Sequence, residues 1–305
     1  MLDARRLRLL RELSMRGTIA AVAEALAFTP SAVSQQLSAL EREAGTPLLE
    51  RTGRRVALTP AAQNLVRHTE AVLERLEMAA ADLAAARHGL SGPLRIGAFP
   101  TATRMIIPAA LAVLARDHPD LEPRVREIDP ADVADALRSG DLDVALVHEY
   151  DFVPTAPKPG LETAPLFTEP MYLASTHLPE APDDIPLLAR FGDAPWITGT
   201  PGTLCHAMLL GACRAAGFIP QIRHHVDEFA TTLALVALGQ GAAVVPHLGT
   251  ADPPPEVVLT RLPLRRRTLA AHRRGAARHP ALAAAVSALR AATVPLLTYG
   301  EADGR

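Results

Sequence analysis

Ser31, Ser34, Gln35 and Ser38 are spaced to share one face of a helix. The chemistry open to them is hydrogen bonding at base edges: hydroxyls donate and accept, and a glutamine amide can pair with adenine N6 and N7. Thr29 and Pro30 stand where a cap and a first helical residue belong, and Thr29 is expected with these residues at the DNA surface. Arg51, Arg54 and Arg55 flank a glycine-centred turn between two short extended runs, from which they can reach phosphates. A second group of polar residues lies further on. Pro100, Thr101 and Thr103 follow the run Leu94–Phe99, and Thr198, Thr200 and Thr203 follow Trp196-Ile197. Turns of this kind offer free N–H groups and hydroxyls to an anion, with carboxylates the obvious class. Asp227 and Phe229 follow a third extended run and could face the same cleft. One such threonine alone is an ordinary cap; two threonine-rich turns at equivalent points of two βα units point to a ligand. His148 and His247 are weaker candidates.

The elements that must carry these residues are legible in the apolar spacing. Val33, Leu37 and Leu40 give the helix at 30–43 a buried stripe, which leaves its serines and Gln35 outside. Thr18 caps a preceding helix with Ile19, Val22, Ala23 and Leu26 on its inner side. Upstream, Leu2, Leu7, Leu10 and Leu13 imply a first helix with Arg5, Arg6, Arg8 and Arg11 outside. Two short helices joined by a tight turn, followed by a hairpin wing, present a reading helix to a major groove. Between Pro60 and Gly89 there is neither Gly nor Pro. Leu65, Thr69, Val72, Leu76, Ala79, Leu83 and Ala86 recur by four and three, a heptad seam. Leu65, Val72, Leu76 and Leu83 are therefore expected at a dimer interface, which would set two reading helices on the half-sites of an interrupted palindrome.

Beyond Ser91-Gly92-Pro93 a βα rhythm starts. Strands are expected at 94–99, 121–128 and 143–147 and helices at 106–117 and 131–139. A second series has strands at 196–197, 221–226 and 242–245 with helices at 203–216 and 228–238. The last elements expected are a strand at 269–272 and a helix from Pro280 to Ala292. Two such units in series imply a cleft at the strand carboxyl ends.

Residues 1–59 resemble the winged helix-turn-helix of the LysR-type transcriptional regulators. The motifs are Ala-Glu-Ala-Leu at 23–26, Ser-Ala-Val-Ser-Gln-Gln-Leu at 31–37, Leu-Glu-Arg-Glu at 40–43, Pro-Leu-Leu-Glu-Arg at 47–51 and Leu-Thr-Pro-Ala at 58–61. The later motifs, Leu-Arg-Ile-Gly-Ala-Phe-Pro-Thr at 94–101, Gly-Asp-Leu-Asp-Val-Ala-Leu at 140–146 and Leu-Gly-Gln-Gly-Ala-Ala-Val-Val-Pro at 238–246, are similar to that family's effector-binding domain. The resemblance implies an N-terminal all-α winged helix-turn-helix at 1–59 and a linker and dimerisation helix at 60–89. It further implies an α/β, periplasmic-binding-protein-like effector domain at 93–296. Its subdomain I would comprise 93–168 and 266–296 and its subdomain II 169–265, with 297–305 a tail. The partners implied are double-stranded DNA, a small-molecule effector and a second or further copy of the chain as homodimer or homotetramer.

Composition narrows the classes. The net charge of −2 argues against a non-specific DNA coat, yet residues 1–59 hold nine arginines against six acidic residues. With aromatics at 4% and an apolar fraction of 49%, Ala, Leu and Val must fill the core. No apolar run follows the first charges as in a signal peptide, and no stretch approaches a membrane span, so a cytoplasmic protein is expected. Cys205 and Cys213 are about 12 Å apart along one expected helix, beyond disulfide reach. His206, His224, His225, His247 and His272 show no metal-ligand spacing, and no metal or cofactor is expected. An effector-responsive regulator leads. An enzyme or solute-binding protein on the same fold lacks an assembled nucleophile and base, and an effector-independent architectural DNA protein makes no use of a cleft.

Overall fold

The computed structural model describes residues 1–302 apart from 53–54, 87–88, 181 and 183–184; the side chains of 51–55 and 295–302 also lie outside the description. The chain opens with α1 (Ala4–Arg16), α2 (Ile19–Ala25) and α3 (Pro30–Ala44), then the strands β1 (Leu49–Thr52) and β2 (Arg55–Leu58). Asp3, Thr18 and Thr29 cap the three helices with side-chain oxygens that accept backbone N–H groups, satisfying donors a helix start leaves unpaired. Leu7, Leu10, Leu13, Val22, Val33, Leu37 and Leu40 meet in one core. The first helix differs from expectation in two ways. Leu2 precedes it and is exposed. Arg11 turns inward beside Glu12, at 2.7 Å, because the facing surface of the next long helix carries Glu70.

That helix is α4 (Pro60–Ala85), capped by Thr59. Leu65 packs partly on the head's own core and Thr69 is buried, whereas Val72, Leu76 and Leu83 are exposed. The seam thus divides into an intrachain end and an open end.

The remainder forms one eight-stranded mixed sheet. In chain order its elements are β3 (Gly92–Ala98), α5 (Pro100–Met105), α6 (Ile107–Asp117), β4 (Leu121–Glu127), α7 (Val133–Ser139), β5 (Val144–Tyr150) and β6 (Leu161–Ser175). There follow β7 (Pro195–Thr198), α8 (Leu204–Ala215), β8 (Gln221–His225), α9 (Phe229–Ala237), β9 (Ala242–Pro246), β10 (Val258–Arg273) and α10 (Pro280–Ala302). The strand order is β4-β3-β5-β10-β6-β9-β7-β8. Each half has a parallel trio, β4-β3-β5 and β9-β7-β8. Two long antiparallel strands, β6 and β10, join them. Beyond their shared ladder, β10 pairs with β5 over Arg266–His272 and β6 pairs with β9 over Met171–Ala174.

Sequence spacing did not reveal β6, and located only the end of β10. Both carry proline where a ladder N–H is wanted: Pro165 and Pro170 in β6, Pro263 in β10. The strands absorb them at breaks in register, between Leu262 and Arg265 and between Thr268 and Leu269. The closing helix continues to Ala302, through residues expected as a tail.

At the crossing, Arg266 and Glu169 are directly paired across the ladder and 2.7 Å apart, with side chains 1% and 3% exposed. Replacing Arg266 by Met leaves Glu169 charged and buried, and is expected to cost about 3–5 kcal/mol in denaturant unfolding. Adding Glu169→Gln, which keeps an oxygen for its other donor, should recover more than half of that loss.

Candidate functional site

The DNA-facing candidates gather on α3. Its buried stripe is Val33, Leu37 and Leu40, while Ser31, Ser34, Gln35 and Ser38 are exposed. Thr29 is engaged locally, accepting from the Ala32 N–H at 3.2 Å and lying 3.1 Å from the Ser31 hydroxyl. Gln36 accepts from Arg6 at 2.9 Å, and Arg6 also pairs with Glu43, so this second glutamine serves packing. Glu41 accepts from the N–H groups of Leu48 and Leu49 at 2.9 and 3.0 Å, which fixes the start of the β1–β2 hairpin against α3. Ser34, Gln35 and Ser38 line a shallow groove together with Arg42. Arg42 was not among the sequence candidates, yet it stands four residues after Ser38 on the same face. Of the wing arginines, Arg54 and the side chains of Arg51 and Arg55 lie outside the described residues.

The effector candidates occupy two separate turns. Thr101 is buried in the first turn of α5 and accepts from Arg266 at 3.2 Å, while the Thr103 hydroxyl donates to carbonyls of Ala98 and Phe99. Pro100 opens the same short helix. In the other half, the Thr200 N–H and hydroxyl donate to the two Asp227 oxygens at 2.8 and 2.6 Å. The Thr203 hydroxyl donates to the Thr200 carbonyl at 2.8 Å and caps α8. Thr198 is buried at the end of β7, and the Phe229 ring packs on Gly249. Thr200, Thr203 and Asp227 are therefore brought together by bonds that stabilise the turn itself, next to Thr198 at the strand end.

A cavity of about 660 Å³ lies beside these turns and takes in Thr203 alone of the expected group. Its walls are α7, the end of β5, the segment 153–159, Leu161 and Thr163 of β6, Ala271 of β10 and the start of α8. Val133, Val147, Val153, Pro154, Pro157 and Leu161 make much of it apolar. His148 reaches it from β5, wedged edge-on between Phe99 and Tyr150 at ring distances of 4.6 and 5.0 Å. It is buried, and among the described residues its Nδ1 has no hydrogen-bond partner. Burial, and then the Arg266 charge, push its pKa well below the usual histidine range, so the ring is neutral and can bond to a ligand. Lys158 lies in the wall and donates to the Pro130 carbonyl at 3.2 Å; an ammonium has three donors, so capacity remains for an anion.

Both thiols are free and belong to α8. Cys205 lies 3.2 Å from the Tyr150 hydroxyl, and burial raises its pKa. Burial pushes the Cys213 thiol up to about 12. Both are thiols rather than thiolates at neutral pH. Among the described residues no three His, Cys, Asp or Glu side chains are grouped to hold a metal ion, and no helix is long and apolar enough to cross a membrane.

Comparison with known proteins places these features. Residues 4–63 match the family model described as a bacterial regulatory helix-turn-helix protein, lysR family. Residues 87–293 match that of the LysR substrate binding domain. The chain is 32% identical to a probable hydrogen peroxide-inducible genes activator of Mycobacterium avium, an alignment covering 74% of this chain and 71% of that protein. It is also 32% identical to the uncharacterized HTH-type transcriptional regulator YnfL of Escherichia coli, over 74% and 79% of the two chains. A solved structure of a cysteine variant of Corynebacterium glutamicum OxyR superposes with a TM-score of 0.60 at 24% identity, covering 100% of this chain and 95% of that one, a likeness of fold.

The buried neutral His148 has a measurable consequence. In the unfolded chain a histidine takes up a proton below about pH 6.5, whereas the folded site resists it. Folding stability should therefore fall as pH drops through and below 6.5. His148→Phe, which keeps the ring packing, should reduce that slope by up to about 1.4 kcal/mol per pH unit in urea titrations between pH 5 and 7. An unchanged slope would mean that the ring is solvated.

Proposed function

The chain belongs to the LysR family of DNA-binding transcriptional regulators, and from that premise we propose how it reads DNA and what it senses. The observation that carries the reading is the cavity lined by buried His148, whose Nδ1 has no hydrogen-bond partner among the described residues, in the same chain as the exposed Ser and Gln face of α3. Ser31, Ser34, Gln35 and Ser38 read base edges, Gln35 by a bidentate pair with adenine, while Arg51, Arg54 and Arg55 of the wing neutralise phosphates. A head carrying a net +3 supplies modest counterion release, so two heads must act together. The exposed row Val72, Leu76 and Leu83 fits a second copy of this chain, because it continues the heptad that Leu65 begins on the head.

The effector we propose is a small molecule with an apolar body and a carboxylate. Pro154, Pro157, Val133 and Val147 would cover the body, Lys158 the charge, and His148 one further polar atom. The name of the Mycobacterium avium relative refers to hydrogen peroxide. Here the thiols of Cys205 and Cys213 are held protonated by burial, which favours reversible ligand binding over thiol oxidation. The same reading makes the protein a regulator rather than an enzyme, working in the cytoplasm where its operator is.

Gln35→Ala should weaken binding to a duplex selected from a random-sequence pool by about 10- to 100-fold, the range of about 1–3 kcal/mol for a bidentate base contact. Binding to mixed-sequence DNA should be unaffected across a salt series; equal loss on both would remove the base-reading role. For the cavity, small carboxylates that raise Tm should lose their effect in His148→Phe and in Ala134→Leu, which fills the space beside α7, while both variants still unfold cooperatively. Hits that survive both changes would place the effector elsewhere.

A further inference from the structure

The segment Asp151–Gly160, whose residues 153–159 form one wall of the cavity, belongs to no helix or strand and reaches from one functional part of the molecule to another. Its start is fixed to β10: Asp151 accepts from the Arg265 N–H and from the Arg267 guanidinium, both at 2.9 Å. Phe152, in the left-handed region at φ +66, lies directly over Gly211 of α8, where an added Cβ would meet Phe152 at 2.8 Å. The segment then crosses the cavity with Pro154, Pro157 and Pro159 limiting its flexibility. It ends under the DNA-binding head. Gly160, at φ +72, fits so closely beneath α1 and α4 that a Cβ would stand 3.0 Å from Glu70 Oε2 and 3.1 Å from Arg11 Nη1.

The adjacent wall, α7, is two-sided in the same manner. Asp135 and Arg138 line the cavity. On the outer side Asp135 pairs with Arg16 of α1 at 2.7 Å, and the Arg138 carbonyl accepts from Arg8. Arg138 also donates to the Pro159 carbonyl at 3.0 Å, which ties α7 to the segment. From β10, Arg273 bonds Glu77 of α4 at 2.8 Å and the Leu137 and Leu142 carbonyls at 2.9 Å. The walls that a ligand would touch are thus the surfaces on which the head rests.

We propose that α7 and the segment 151–160 form the link by which cavity occupancy controls docking of the DNA-binding head. A ligand that moves either wall changes the Arg16–Asp135 pair and the Gly160 contact, and so favours a docked or an undocked head. The direct consequence is reciprocity: a head engaged by DNA must alter the cavity by the same coupling free energy. This proposal rests on the cavity being the effector site, but its test needs no effector.

Amide hydrogen exchange of the full-length protein, with and without a duplex selected from a random-sequence pool, reads the link directly. DNA should protect α3 and change exchange of residues 133–139 and 151–160 at least threefold. Asp135→Asn, an isosteric change at a half-exposed carboxylate, should cut the distant response by half or more while α3 remains protected. Arg16→Gln should do the same, and the double variant should lose no more than either single one. Protection of α3 without any change at 133–139 and 151–160 in the wild type would overturn the proposal. So would a full response in Asp135→Asn. If instead the response is present but no carboxylate shifts Tm through His148, the link stands and the effector assignment fails.

Discussion

Arg266 and Glu169 form an ion pair almost wholly removed from water, at the point where the two long strands pass from one half of the sheet to the other. Burying two charges costs several kcal/mol per ion unless geometry and hydrogen bonds compensate. Compensation here comes from both halves. Glu169 accepts from the Leu248 N–H at 2.7 Å, just past β9, and Arg266 donates to Thr101 at 3.2 Å, just past β3. Its guanidinium also lies 5.1 Å from the centre of the Phe99 ring. Burial alone would depress the Arg266 pKa, but Glu169 outweighs it and keeps the arginine charged. One pair therefore fixes the turns at the carboxyl ends of β3 and β9 relative to each other, and its charge helps hold His148 neutral.

Much of the DNA head could be read from residue spacing because its signals are local. Thr18 and Thr29 cap their helices where side-chain chemistry says they should, and Val33, Leu37 and Leu40 are buried as a period of 3.6 requires. Arg11 was the exception, because its inward turn depends on Glu70 of another helix. The βα units were legible for the same reason. The strands that join them were not. β10 runs through Arg265, Arg266 and Arg267 and β6 through Thr168, Glu169 and Pro170, so charge and proline fall where a central strand normally reads apolar. Groups on other elements satisfy that charge, Glu169 for Arg266 and Asp151 for Arg267, and no pattern within one strand encodes them.

The site divides along similar lines. The threonines at 198, 200 and 203 and Asp227 were chosen for having spare hydrogen-bonding groups, and they do converge. Convergence lets them satisfy one another, which a one-dimensional reading cannot foresee. The cavity depends instead on residues 153–159, a stretch with no apolar period to mark it. His148 was visible as a residue following a buried strand. Its unpartnered nitrogen follows from the two aromatic rings beside it.

Whereas α4 packs closely on Gly275, where an added Cβ would stand 2.6 Å from the Glu74 carbonyl oxygen and 3.2 Å from Met78, the contact of α1 with the effector domain consists of arginines, carboxylates and backbone carbonyls. This choice of chemistry sets what the contact can do. Asp135 is half exposed, and pairs of that kind contribute about 0–1 kcal/mol each. A handful gives a docking free energy comparable with the 1–3 kcal/mol typical of coupling between sites. An apolar interface of similar extent would exceed what a small ligand can oppose, since a ligand shifts an equilibrium only by its difference in affinity for the two states. Within each part the interactions are of another order: closed apolar cores, and at the crossing a buried ion pair that costs several kcal/mol to break. The contact of α1 is thus weaker than the cores on either side of it, and under the proposed coupling a movement induced by a ligand or by DNA would concentrate there.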